Sequence, residues 1–397
     1  MAGPLAGVRA LDLARFIAGP FCGMLLADLG AEVIRVERSE GGIDRAFGLL
    51  CPSGDNYGFV NQNRNKKGIT LNFEKNKQAM EILEQLVKQT DVVIENFSPS
   101  AAESMGITYE NLRKIKPDII FAHVSGFGSS GPYSHRTGFD QVAKAMSGAM
   151  SISGFPGDPI REQVPWVDYS TACLTTVGIL AALYHRKATG EGQMIDTALL
   201  QTAVTLMAPI IGEYETGGII RQQVGNRAYW LGPSDLYKTK DGRWVMLAIF
   251  PDNIWKRFCR FIGRDDLVSD PRFQSDFSRW EHRDILDPVV EEWVASQTTE
   301  EVIANAEKIP IPAGICYQHT EVASDPHVRA REMLVELPSP NGEGNIIVTG
   351  IPIRMSGTPL KIERPFPALG KHNEEIYCGL LGYSREEMDK LEQEKMI

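Results

Sequence analysis

The sequence predicts an α/β fold, a doubly wound parallel sheet joined to a smaller α+β domain, on three observations. Strand-like and helix-like segments alternate through the first half of the chain. DVVIEN (Asp91–Asn96) and DIIFAHVS (Asp118–Ser125) are nearly continuous apolar runs, as in parallel sheets covered on both faces. An alternating pattern around Asp241-Gly242, a hairpin signal, appears only far downstream.

Each element follows in order. Val8–Leu13 reads as a strand, Gly19–Leu29 as an apolar helix closed by Gly30, and Ala31–Glu37 as the next strand. Ala79, Ile82, Leu83, Leu86 and Val87 form the stripe of an amphipathic helix. After the strands at Asp91–Asn96 and Asp118–Ser125 come three apolar segments read as helices without strands between them: Val142–Ile152, Ser170–Arg186 and Ile195–Ile211. Gly212–Asn226 reads as a connector, Ser234–Ile249 as the hairpin, and Asn253–Ile262 and His282–Ser296 as helices. A chain of 397 residues exceeds one ordinary domain of roughly 100–200 residues. The expected division is a large domain at 1–211 and 326–397, a linker at 212–226 and a small α+β domain at 227–325.

Composition narrows the class. A hydrophobic share of 43% and a charged share of 23% are those of a globular protein, and the net charge is −10. That surplus argues against nucleic acid and anionic membranes as general partners, though not against a local basic pocket. Arg9, Asp12 and Arg15 interrupt any signal-peptide core, and no stretch reads as a membrane span. Six scattered cysteines without a CxxC pair, and seven histidines without HxxxH or HExxH spacing, predict no disulfide framework and no metal site. A cytoplasmic location is the expectation.

Three motifs carry chemistry. GFGSSG (Gly126–Gly131) matches a dinucleotide fingerprint formally, but Pro132 follows and no helix opens to cradle a pyrophosphate, so a plain turn is expected. Asp168 begins an apolar helix. Its ordinary reading is an N-cap; the chemical one is a carboxylate that the helix terminus keeps at low pKa, ionised, and able to attack an activated acyl group, with the terminal amides stabilising developing negative charge. NRNKKG (Asn63–Gly68), with Arg35 and Arg38, is the one basic concentration: a solvated face, or a holder for a phosphate-rich ligand at the carboxyl edge of the sheet, where NFSPS (Asn96–Ser100) also emerges.

Taken in order, LAGVRALDLARFIAGPFCGMLLADLGAEVIRVER, NRNKKGITLN, VVIENFSPSAAESMGI, GFDQVAKAMSGAMSISG, VDYSTACLTTVGILAALYHRKATGEGQMIDTAL and LGKHNEEI resemble the class III CoA-transferases, the CaiB/BaiF family, nearly end to end. The resemblance implies a Rossmann-like large domain, an interlocked homodimer, and acyl-CoA and a carboxylic acid as substrates with no permanently bound cofactor. It implies Asp168 as a nucleophile that forms aspartyl anhydride and aspartyl-CoA thioester intermediates. By position it implies CoA contacts at Arg15, Phe16, Arg38, Leu71, Lys75, Asn96, Phe97, Ala101 and Met105, with Arg38 and Lys75 as phosphate partners. Asp140 lies where the family has a second carboxylate.

The same resemblance supplies alternatives. Racemases of the family carry a histidine where this chain has Phe139 and a small-domain glutamate where it has Phe250; phenylalanine carries no proton, so racemisation is disfavoured. Formyl-CoA:oxalate enzymes carry a glutamine at the position of Ile17 and a glycine run in the small domain, where this chain has Asn226–Tyr237. Ile17, Phe47, Trp166, Trp230 and Phe250 suggest a pocket more apolar than oxalate needs, hence a larger mono- or dicarboxylic acceptor and succinyl-CoA as donor; Phe139 and Asp140 are assigned to the same substrate pocket. A non-catalytic CoA-binding subunit of a heteromeric transferase stands as the reading from another class.

Overall fold

Six short strands pair in parallel in the computed structural model, which describes residues 3–74, 76–340 and 344–397. They are β1 (Arg9–Asp12), β2 (Glu32–Glu37), β3 (Lys67–Thr70), β4 (Val92–Glu95), β5 (Ile120–Ser125) and β6 (Met194–Ala198), in the order β3-β2-β1-β4-β5-β6. The order reverses direction between β1 and β4, which makes the carboxyl ends of those two strands the switch point of the sheet. Both faces are covered, as the apolar runs predict. Leu11, Ile34, Ile69 and Val93 pack on one face with Ile82, Leu83 and Leu86 and with Ile376, Tyr377 and Leu391 from the end of the chain. Ala10, Val33, Ile94 and Ala122 pack on the other with Cys22 and Leu26 of helix α1 (Ala18–Asp28).

Two strands escaped the periodicity. β3 is four residues long and sits in the basic segment. β6 runs straight into the helix Leu199–Leu206, so Ile195, Ala198, Leu199, Thr202 and Ala203 fall at helical spacing across the junction of a strand and a helix. The expected helix Val142–Ile152 is likewise two pieces, α2 (Asp140–Met146) and a single turn at Ala149–Ile152, separated at Gly148, whose φ of +87° suits only glycine.

The central apolar helix, α3 (Trp166–Thr189), has 24 residues and is long and apolar enough to cross a membrane by length and composition. The sequence reading of no such stretch is corrected to that extent. Its stripe Ala172, Ile179 and Ala182 packs on the sheet beside α1, which is the place of a core helix. Leu174, Val177 and Tyr184 on its other side stay exposed in the single chain.

Three cations of the basic set, Arg64, Lys66 and Arg35, are interior ion-pair partners, while Arg38 stays at the surface. Arg64 is buried against Asp28 (Nη2 to Oδ2, 2.6 Å), and Lys66 is buried against Asp12 (2.7 Å), the Pro20 carbonyl (2.7 Å) and Asn63 (2.8 Å). Arg35 is buried among Asp44 (2.7 Å), Asp12 (3.7 Å) and Glu37 (3.7 Å). Burial pushes the Lys66 ammonium down to about 8, with Arg35 adding to the fall and Asp12 opposing it.

By compactness the chain divides in two. One unit runs to Ala149, resumes at Gln163–Gly212 and again from Pro326, and holds the six-stranded sheet and a hairpin of Leu334–Pro338 with Asn345–Thr349. The other is Met150–Glu162 with Glu213–Asp325. In it Ser234–Lys238, Trp244–Ala248 and Ala313–Ile315 form an antiparallel sheet over a core of Trp255, Phe258, Val290 and Val302. The stretch expected as a connector is built into this unit: Gln223 donates to the carbonyls of Ser153 (2.7 Å) and Asp158 (3.0 Å), and Gly225 to that of Gly154 (2.9 Å).

Lys66→Ala removes the nearer cation from interior Asp12, leaving it only Arg35 at 3.7 Å, and is expected to destabilise by about 3–5 kcal/mol. Lys390→Ala, which breaks an exposed pair with Glu394 at 3.9 Å, is expected to cost less than about 0.5 kcal/mol. Urea denaturation midpoints at neutral pH check both.

Candidate active site

At the switch point a cavity of about 320 Å³ opens between the loops that leave β1, β4 and β5, and Asp168 lies on its wall. Asn96, just past β4, clamps Arg15, just past β1. Its Oδ1 accepts from the Arg15 amide (2.8 Å) and its Nδ2 donates to the Arg15 carbonyl (2.6 Å). The buried ion pairs hold the same loop from beneath: Asp12 accepts from the Ala14 amide (3.0 Å), Arg35 donates to the Ala14 carbonyl (2.9 Å), and Asp44 accepts from the Phe16 amide (3.2 Å). So fixed, Phe16 adopts a φ of +67°. For a bulky residue that conformation costs about 1–3 kcal/mol and persists only where the surroundings over-determine it.

Across the cavity, Gly126 and Gly138 approach backbone to backbone; a Cβ on Gly126 would lie 2.7 Å from the Gly138 Cα. That contact brings Phe139 to the cavity wall and sets Asp140 behind it at the start of α2. Asp140 is buried, and its Oδ2 accepts from the amides of Val167 (3.0 Å) and Asp168 (3.4 Å), while its Oδ1 pairs with Lys144 (3.0 Å). Asp140 thus caps α3 from outside, and Asp168 sits at the third position of the helix, not at its cap. Two sequence expectations fall with this. The first amides of α3 are occupied by Asp140 and are not free for developing charge. The Asp168 carboxyl is also not held low: burial pushes it from its ordinary 3.8 up to about 7, the Asp140 charge adds to the rise, and Lys144 opposes it.

Of the residues that the resemblance assigns to CoA, Arg15, Phe16, Asn96, Phe97 and Ala101 line this cavity, as do Ile17 and Phe139 from the substrate set. The Arg15 guanidinium lies 5.2 Å from the Phe97 ring centre. Arg38 lies with Arg15 on a neighbouring cleft of about 260 Å³, and Glu74 pairs with both arginines. Arg38 is therefore neutralised in this state, where a free phosphate partner was expected. Phe47 is 67% exposed and meets Phe16 edge to face at 6.5 Å; Phe139 meets Phe16 on its other side at 5.6 Å. Trp166 opens α3, with the Lys144 ammonium 5.3 Å from its ring centre. Two residues of the same unit stand elsewhere. Leu71 is fully buried in the core under the sheet, and Met105 packs against that core on another surface cleft. Trp230 belongs to the second unit, where its Nε1 donates to Glu213 (3.2 Å) among Tyr229, Phe277 and Trp280. Lys75 lies outside the described residues.

Sequence reasoning missed Arg136, an exposed guanidinium on the cavity wall stacked 4.0 Å from the Tyr133 ring centre. It also missed the Arg35–Asp44 support. Nothing in the local pattern marks Arg136, and ion pairs between residues distant along the chain leave no periodic signal. Among the described residues no group of three or more His, Cys, Asp or Glu could hold a metal ion.

Because its folded-state pKa lies above the unfolded value, the Asp168 carboxyl takes up a proton on folding, and its contribution to stability is lost as pH rises towards about 7. Asp168→Asn is therefore expected to be more stable than wild type at pH 8, with the gap growing by about 2–3 kcal/mol between pH 5 and pH 8. Urea unfolding across that range checks the sign and the slope.

Known proteins resemble the chain over nearly its whole length. The model of CoA-transferase family III matches residues 5–373. The succinyl-CoA–D-citramalate CoA-transferase of Chloroflexus aurantiacus is 36% identical over 99% of this chain and 98% of its own length. The succinate–glutarate CoA-transferase of Agrobacterium fabrum is 34% identical over 95% and 96%. A crystal structure of a CaiB/BaiF family protein from Brucella suis superposes with a TM-score of 0.83 at 32% identity, over 96% of this chain and all of that one. The chain belongs to CoA-transferase family III, the CaiB/BaiF family.

Proposed function

We propose that the protein moves CoA from succinyl-CoA to a second small dicarboxylic acid, with Asp168 as the covalent nucleophile. The observation that carries the reading is the Asp168 carboxyl, part-buried on the wall of a cavity at the carboxyl edge of β1, β4 and β5, with a pKa raised towards neutrality. A carboxylate with that pKa is more basic, and so more nucleophilic, than an ordinary aspartate, yet still substantially ionised at pH 7. The names of the Chloroflexus and Agrobacterium relatives support the donor and the size of the acceptor.

The steps balance without a cofactor. An Asp168 oxygen attacks the thioester carbonyl; the carbon–sulfur bond breaks, and CoA thiolate leaves with the electron pair. The thiolate attacks Asp168 Cγ, forming an aspartyl-CoA thioester and releasing succinate. The acceptor carboxylate then attacks that thioester, and the thiolate, freed again, takes the acceptor acyl group from the second anhydride. Arg136 is suited to the far carboxylate of a diacid, since a guanidinium on the cavity wall can pair with it bidentately. Asp140 holds the helix start that carries the nucleophile, and Lys144 balances its charge. The assembly belongs to the same reading: a homodimer would cover Leu174, Val177 and Tyr184 of α3, exposed in the single chain.

Incubation with succinyl-CoA followed by hydroxylamine and mass spectrometry is expected to mark Asp168, and Asp168→Ala to abolish exchange of CoA between succinyl-CoA and labelled succinate. An active wild type never modified at Asp168 would sink the mechanism, and no exchange with any donor would favour the non-catalytic subunit. Only the ionised carboxylate attacks, so kcat/KM for the donor should fall about tenfold per pH unit below about 7 and level off above it. Arg136→Met should raise KM for diacid acceptors more than it lowers kcat, by about tenfold.

A further inference from the structure

We infer that Phe16, locked in place by the buried pair Arg35–Asp44, closes the Asp168 cavity together with Phe139, and that this aromatic cover keeps water from the aspartyl anhydride. The inference rests on the covalent reading of Asp168. The anhydride of that reading is open to water: attack on its succinyl carbonyl forms the new carbon–oxygen bond and breaks the bond to Asp168. The proton passes to solvent, leaving succinate, free CoA and the regenerated carboxylate. The net result is succinyl-CoA hydrolysis. An enzyme that transfers and does not hydrolyse needs a dry cavity.

The geometry offers the rings for a cover. Phe16 and Phe139 both line the cavity with Asp168 and meet edge to face at 5.6 Å, and Phe47 backs Phe16 from the other side at 6.5 Å. Phe16 reaches this position only through a left-handed backbone, φ +67°. Asp44 Oδ2 takes both the Phe16 amide (3.2 Å) and the Arg35 guanidinium (2.7 Å), while Arg35 also holds the Ala14 carbonyl (2.9 Å). Both charges are buried, so neither swings out to solvent. Phe139 is joined to the nucleophile through the next residue, since Asp140 accepts from the Asp168 amide. Asp44 is thus a positioning residue: it touches no reacting atom and acts through the ring it orients.

The test needs no knowledge of the acceptor. Full-length wild type and variants are given succinyl-CoA, and two rates are compared: release of free thiol, which reads hydrolysis, and exchange of label from 13C-succinate into succinyl-CoA, which reads transfer. Phe16→Gly keeps the backbone conformation without strain and deletes the ring; its hydrolysis-to-exchange ratio is expected to rise about tenfold. Phe139→Ala should move the ratio the same way. Asp44→Ala should reproduce the effect of Phe16→Gly, and Asp44→Asn, which keeps an oxygen for the Phe16 amide, should stay within about twofold of wild type. If Asp44→Ala does not fold, the two phenylalanine variants still decide. An unchanged ratio in Phe16→Gly, with Asp168 still trapped by hydroxylamine, overturns the cover and leaves the nucleophile standing. Failure to trap Asp168 in an active wild type overturns both.

Discussion

The loop that leaves β1 depends on charge pairing beneath it. Arg35 and Lys66 are fully buried, and the carboxylates Asp12, Glu37 and Asp44 surround them. Arg45 extends the set, holding Glu37 with two bonds of 2.8 Å and Asp55 with another. Buried pairs of this kind recover little more than their desolvation cost, so their value lies in permitting one arrangement and penalising others. Here the arrangement is the path of residues 12–17, which receives hydrogen bonds from Asp12, Arg35, Asp44 and Asn96. An apolar core filling the same volume would hold the sheet together. It would not force a phenylalanine into the left-handed region at the rim of the cavity.

The opposite bargain governs Asp168. Nothing pairs it as closely as Asp140 is paired: Lys144 goes to Asp140 at 3.0 Å, and the first amides of α3 go there too. The helix start is satisfied by one carboxylate so that the other can remain available. The result is a group whose charge opposes folding, as expected where function requires a reactive side chain to be under-solvated.

Legibility followed range. β4 and β5 could be read because a strand buried on both faces is apolar at every position, and the small-domain hairpin because turn chemistry is local. β3 and β6 could not, one for its brevity and charge, the other because a strand feeding directly into a helix imitates helical spacing. The position of Asp168 on the site was legible through the resemblance of its surroundings; its protonation was not, because burial and the approach of Asp140 belong to the folded state. Arg64, Lys66 and Arg35 looked like a cationic niche in sequence because their partners Asp28, Asp12 and Asp44 lie 36, 54 and 9 residues away. A count of lysines and arginines cannot distinguish an interior ion pair from a ligand site.

Thioester exchange sets the remaining constraint. One CoA thioester is consumed and one is formed, so the overall reaction offers little driving force, and hydrolysis is the strongly downhill alternative at every covalent stage. A general base near Asp168 would make that alternative faster by activating water. Besides Asp168 itself, the cavity wall presents phenylalanines, a backbone clamped by the Asn96 side chain and guanidinium groups, none of which accepts a proton near neutral pH. His123, on β5, is committed elsewhere: it is buried and paired with Glu95, whose second oxygen holds the Phe97 amide at 2.7 Å. Burial disfavours its charged form, but the hydrogen bond and charge of Glu95 outweigh that and raise its pKa. In the proposed mechanism, selectivity for transfer over hydrolysis would then arise from what the site withholds, while the raised pKa of Asp168 would supply the reactivity that a base otherwise provides.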